Sequence, residues 1–270
     1  MAFGWLKRTI RSLPGFDAVD RYFCERYTGQ PTPEVHRRGH YYSPLPDIAE
    51  ARRIAATIFD PAITDIPGVD LRGDDQVRLL EQLAVYYEDF DWPDAPSDHR
   101  RFYLDQTTFC HGDAVILHAM LRHLRPARII EVGSGYSSAL MLDISDRFAE
   151  GRIAFTFIEP EPYRRLDALL TEADRARCRV IADKVQNVPL DTFAALEPND
   201  VLLIDSSHVS RIGSDVNFLM FNVLPILAPG VVIHFHDVHW PFEYPLAWVE
   251  SGLAWNEAYV LRAFLQHNTA

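Results

Sequence analysis

Apolar residues follow two regimes along this chain, and the change comes near residue 100. Before it they recur at helical spacing. Ile48, Ile54, Ala55 and Ile58 share one side of a helix predicted over residues 47–59, and Val77, Leu80, Leu83 and Tyr87 do the same over residues 74–90. Pro61, Pro67 and Gly68 break the chain between them, and the Pro-rich run at residues 91–96 closes the region. Beyond it, short apolar runs at 129–132, 153–158, 179–182, 201–204 and 231–235 predict strands. Helical stretches at 113–124, 137–148, 163–173, 214–227 and 255–266 lead in, separate and follow them. That alternation predicts an α/β fold: a Rossmann-like, doubly wound, mostly parallel sheet with helices on both faces. The expected division is an N-terminal helical extension over residues 1–100, facing the substrate, and a ligand-binding domain over 101–270. In such a sheet the ligand lies beyond the carboxyl ends of the strands, where strand order reverses.

Composition narrows the function classes. The 270 residues are 48% hydrophobic and carry a net charge of −12. A protein built on phosphate contacts needs a basic stripe, so nucleic acid is not the expected partner. The three cysteines, Cys24, Cys110 and Cys178, form no metal or disulfide spacing and fit a reducing, cytoplasmic setting. No apolar run is long enough to span a membrane. Residues 1–16 mix Trp5, Leu6, Ile10 and Leu13 with Lys7, Arg8 and Arg11, without the apolar segment of a signal peptide. A terminal helix packed on its own domain is the preferred reading, and a membrane-surface helix the alternative.

Candidate chemistry clusters at the strand ends. Glu131, Gly133, Ser134, Gly135, Ser137 and Ser138 form a strand–turn–helix junction in which glycines allow close approach of a ligand and the next helix directs free amides to it. Glu131 could attract a cationic amino group. The loop lacks the third glycine of the dinucleotide fingerprint, with Ser138 in its place, which argues against a pyrophosphate cofactor. A second acid, Glu159, ends the next strand and suits the hydroxyls of a ribose. Asp205 ends a buried strand, with His208 three residues later, and His236-Asp237 ends another. Were those two strands neighbours, Asp205 and Asp237 would converge, and a divalent cation would relieve their repulsion.

Taken together, these residues resemble the class I S-adenosylmethionine-dependent methyltransferases, in particular the branch of macrocin-type sugar O-methyltransferases. The resemblance runs from about residue 105 to 267. It implies that Gly133 and Gly135 border the methionine moiety, Glu159 holds the ribose and Asp183 lies near the adenine. It further implies that Asp205 and Asp237 bind Mg²⁺ or a similar ion and that His208 is the general base. The family's intermediate metal ligand is an acid, where this chain has His236. The fold usually ends in an antiparallel pair of strands, which this sequence lacks, and a partner covering the sheet edge leaves homo-oligomerisation open.

The expected reaction is metal-assisted O-methylation of a small hydroxylated acceptor, such as a sugar, glycoside or catechol-like compound. Residues 40–46 and 240–245 are candidate walls of the acceptor site, and Asp113 either contributes there or caps its helix. Three other readings compete. They are a nicotinamide-dependent dehydrogenase, a metal-dependent oxygenase or hydrolase using His236, Asp237 and His239, and an adenosyl-binding module without turnover.

Overall fold

The structure, a computed structural model, describes His36 and residues 38–268; the helix expected within residues 1–16, and Cys24, lie outside the described residues. In chain order the helices are α1 (Ile48–Ile58), α2 (Gly73–Leu83), α3 (His111–Leu124), α4 (Tyr136–Phe148), α5 (Leu166–Leu169), α6 (Glu172–Arg177), α7 (Leu190–Ala194), α8 (Asp215–Phe218), α9 (Leu246–Ser251) and α10 (Glu257–Leu265). The strands are β1 (Arg128–Val132), β2 (Ala154–Ile158), β3 (Arg179–Ile181), β4 (Val201–Ile204) and β5 (Val232–Phe235).

The chain divides into two compact units, residues 1–56 with 246–254, and residues 57–245 with 255–270. In the smaller, Asp47 caps α1, its Oδ1 accepting from the amides of Ala49 at 2.8 Å and Glu50 at 3.2 Å. Arg52 on α1 pairs with Glu250 on α9 at 2.6 Å.

The larger unit holds the sheet. Its strand order is β3-β2-β1-β4-β5 and every pairing is parallel. Successive strands run outward from β1 to β3, and the chain then returns to the other side of β1 for β4. The reversal between β1 and β4 opens a crevice at their carboxyl ends. The pleat sends alternate residues to opposite faces. Ile129, Phe157 and Leu203 join one apolar cluster with Leu140 and Met141 of α4, whereas Ile130, Val132, Leu202 and Ile204 join another with Val216 and Leu261. Cover on both faces explains why the strands read as continuous apolar runs. Among the described residues the sheet has no antiparallel strand, and β3 and β5 are its two edges.

The helix expected over 163–173 is broken. Leu170 is extended, with ψ 131°, and Thr171 starts a new helix by accepting from the Asp174 amide at 3.1 Å. Asp174 and Asp143 are buried and share Arg101, which grips Asp174 through two bonds of 2.7 Å and Asp143 at 2.6 Å. This arginine stitches the chain before α3 to α4 and α6.

Candidate active site

The sheet register builds the site. Val132 pairs with Ile158 on one side and Ile204 on the other, and Ile204 pairs with Phe235. The ladder continues one residue further. The amides of Gly133, Asp205 and His236 donate to Ile158, Val132 and Ile204 at 2.9, 2.9 and 2.8 Å. Gly133, Glu159, Asp205 and His236 therefore stand in one row along the sheet's carboxyl edge.

Gly133 turns the chain away from β1 with φ 83°. A Cβ there would stand 1.8 Å from the Asp205 carbonyl oxygen, so the loop and the end of β4 touch main chain to main chain. Ser134 donates its amide to Glu159 at 3.2 Å, and the Glu161 amide binds the other Glu159 oxygen at 2.9 Å. Glu159 is thereby held with both oxygens anchored at the rim of a cleft of about 750 Å³, lined also by Gly133, Lys184, Asp205, Ser206 and Arg211. Ser206 Oγ is buried in that lining with no protein partner among the described residues. A carboxylate beside an unspent hydroxyl suits a polar, hydroxyl-bearing ligand.

Glu131 takes a different place. Strand alternation turns it inward, fully buried, toward the first turn of α4. Ser137 Oγ donates to one oxygen at 2.5 Å and Ser138 Oγ to the other, while the Gly135 amide donates to Ser138 Oγ at 3.0 Å. Burial pushes the Glu131 carboxyl up to about 8, against the pull of those hydroxyls. Its role here is to brace the loop from below.

Beside the cleft, Asp205, His208 and Asp237 offer one ligand atom each, all within 4.8 Å of one another. His208 is buried in a left-handed backbone conformation, φ 57°. Its Nε2 lies 3.2 Å from Asp205 Oδ1 and 3.7 Å from Asp237 Oδ2. Its Nδ1 lies 2.8 Å from Glu257 Oε2. Burial disfavours the charged ring, but hydrogen bonds to Asp205 and Glu257 outweigh it and raise the imidazole to about 9. Burial also raises the Asp237 carboxyl. Two facing carboxylates make a donor pair suited to a divalent cation.

Residues 130–238 match the family model of a methyltransferase domain. An uncharacterised protein of Archaeoglobus fulgidus is 35% identical over 166 residues, covering 60% of this chain and 73% of that one. Residues 130–238 thus carry a methyltransferase domain. The parallel sheet and the glycine loop after β1 fit the fold expected of class I, S-adenosylmethionine-dependent methyltransferases. A solved structure, the SAH-bound Podospora anserina methyltransferase PaMTH1, is similar at 16% identity with a TM-score of 0.43, over 77% of this chain and 92% of that one.

In this methyltransferase the two acids at the ends of β4 and β5 do meet, and His208 meets them. His236 does not join that group among the described residues: its Nδ1 faces His234 Nε2 at 3.2 Å, its ring stacks on Phe109, and its Nε2 is 3.8 Å from Asp237. His239 lies outside the group as well. Asp183 is exposed and accepts from the Lys184 amide and the Asn187 side chain, both at 2.7 Å. Asp113 caps α3, accepting from the Cys110 amide at 3.1 Å. Glu257, the partner of His208, went unrecognised in the sequence. It lies 49 residues further on, at the start of α10, where an acid reads as ordinary helix-end chemistry.

Proposed function

We propose that this methyltransferase transfers a methyl group from S-adenosylmethionine to a hydroxyl of a small polyhydroxylated acceptor, sugar-like or catechol-like, with help from a divalent cation. The observation that carries the proposal is the convergence of Asp205, Asp237 and His208 beside the cleft that holds Glu159. Glu159 accepts hydrogen bonds from the ribose hydroxyls, and the loop at Gly133–Gly135 borders the methionine moiety. Asp183, next in sequence to the cleft-lining Lys184, would approach the adenine.

Methyl transfer is an in-line displacement at a sulfonium carbon, so donor and acceptor need alignment at about 3–3.5 Å. An alcohol is a poor nucleophile until its proton is taken. Asp205 and Asp237 would hold Mg²⁺, or Mn²⁺, between two carboxylates. When bound, the cation supplies Lewis acidity that lowers the pKa of an acceptor hydroxyl. His208 takes the hydroxyl proton at Nε2. Asp205 restrains a proton on that nitrogen only while its own oxygen is uncommitted, so the same carboxylate governs both tasks. Vicinal hydroxyls fit best, because two adjacent oxygens can engage one site.

The test is transfer of radiolabelled methyl from S-adenosylmethionine to a panel of vicinal diols, catechol and methyl glycosides among them, after EDTA treatment and again with Mg²⁺ or Mn²⁺ restored. The proposal expects transfer to a diol that requires the added cation. Transfer fully retained in EDTA would remove the cation from the reaction, and transfer to nitrogen or carbon acceptors alone would remove the hydroxyl.

A further inference from the structure

His208 is buried within the loop that follows β4. The loop Ser206–Ser210 leaves the end of β4 and is clamped by a distant segment at the start of α10. The amides of Asn256 and Glu257 both donate to the His208 carbonyl, at 3.0 and 3.1 Å. Asn256 exchanges two further bonds with Ser210: the Ser210 amide donates to Asn256 Oδ1 at 2.6 Å, and Asn256 Nδ2 donates to the Ser210 carbonyl at 3.2 Å. The Trp255 ring lies over the imidazole, centroids 4.3 Å apart. These contacts hold a non-glycine residue at φ 57°, a backbone region that needs support from its surroundings.

Glu257 completes the clamp. Its carboxylate is buried, its Oε2 is 2.8 Å from His208 Nδ1, and its Oε1 has no hydrogen-bond partner among the described residues. Burying a carboxylate with one oxygen left without a partner is costly. The arrangement has the form of a base whose far nitrogen is oriented by a third group.

We infer that Glu257 is a positioning residue: by accepting from His208 Nδ1 it fixes the ring so that Nε2 points to Asp205 and Asp237. Glu257 takes no proton itself. This inference rests on His208 acting as the base in the proposed reaction. An apolar side chain in place of Glu257 removes the acceptor at Nδ1 and frees the ring, whereas a glutamine still accepts there through its carbonyl oxygen. A comparable loss of a buried orienting group costs roughly 10- to 100-fold in activity in metal sites.

The experiment compares the parent with Glu257→Leu and Glu257→Gln. In crystal structures the His208 ring should turn away from Asp205 in Glu257→Leu and keep its place in Glu257→Gln, whose side-chain carbonyl still accepts from Nδ1. Methyl transfer to catechol should fall at least about tenfold in kcat in Glu257→Leu and recover in Glu257→Gln, with the affinity for S-adenosylhomocysteine unchanged in both. A ring unmoved in Glu257→Leu, or a kcat equal to the parent's, overturns the inference; should Glu257→Leu fail to fold, Glu257→Asp, which shortens the reach to Nδ1, serves the same comparison. A parent that methylates no acceptor, yet whose ring turns in Glu257→Leu, fails the proposed function and leaves the positioning role standing.

Discussion

Replacing Gly133 by alanine inserts one methyl group where the loop after β1 crosses the end of β4. The new Cβ would stand 1.8 Å from the Asp205 carbonyl oxygen and 2.8 Å from its carbonyl carbon. Both are main-chain atoms, so no side-chain rotation relieves the contact, and the loop and strand end must part by more than an ångström. The left-handed backbone, φ 83°, adds about 1–2 kcal/mol for any residue with a Cβ. Separation also strains the bonds from the Gly133 amide to Ile158 and from the Asp205 amide to Val132, each 2.9 Å long and worth about 1 kcal/mol. Together these come to about 3 kcal/mol or more, which lowers the melting temperature of a domain of this size by roughly 6–12 °C. Scanning calorimetry measures that shift, and titration with S-adenosylhomocysteine should show at least tenfold weaker binding, because Glu159 is tied to the same loop through Ser134. A melting temperature within about 2 °C of the parent's, with unchanged affinity, would refute the main-chain lock between the two strand ends.

Three further expectations concern other parts of the molecule. Arg101→Met strips buried Asp143 and Asp174 of their shared cation and should destabilise the protein by about 3–5 kcal/mol at pH 7, measured by urea unfolding; a loss below 1 kcal/mol would show the cluster to be dispensable. Burial opposes ionisation of Asp174, but Arg101, Thr171 and Arg177 together hold its carboxyl well below the usual range. Its contribution is therefore complete above the unfolded value, about 3.9, and is lost as pH falls below it, so Asp174→Asn should flatten that acid limb of the stability profile, and an unchanged limb would count against it. Asp205→Ala and His208→Ala should each abolish methyl transfer while leaving S-adenosylhomocysteine binding nearly intact; a fully active His208→Ala enzyme would remove the imidazole from the mechanism.

Much of this arrangement was legible in the chain because the physics was local. Continuous apolar runs marked β1 and β4 as strands buried on both faces, and the apolar face at 137–148 marked α4. The meeting of Asp205 with Asp237 was legible only on the condition that β4 and β5 are neighbours, which the sheet order meets. Local reasoning stopped where the outcome depended on the pleat or on distant sequence. Glu131 reads as a cleft acid, yet strand alternation sends it under α4 to Ser137 and Ser138. His236 reads as the middle ligand, yet its ring turns to His234 and Phe109, and His208 comes back on a left-handed turn to stand between the two acids. The helix expected over 163–173 missed the capping threonine at Thr171, and α7 and α9 are too short, at 5 and 6 residues, to show a periodicity. Glu257 had no sequence signal, since its partner lies 49 residues away.

The measurement that tests the central claim most directly is a calorimetric titration of the purified protein and of Glu159→Ala with S-adenosylhomocysteine, with NAD as the control ligand. The expected result is one site of micromolar affinity in the parent, at least tenfold weaker in Glu159→Ala, and no heat from NAD. No binding of S-adenosylhomocysteine to the parent, or equal affinity for parent and variant, would contradict the placement of the methyl donor in the cleft beside Glu159.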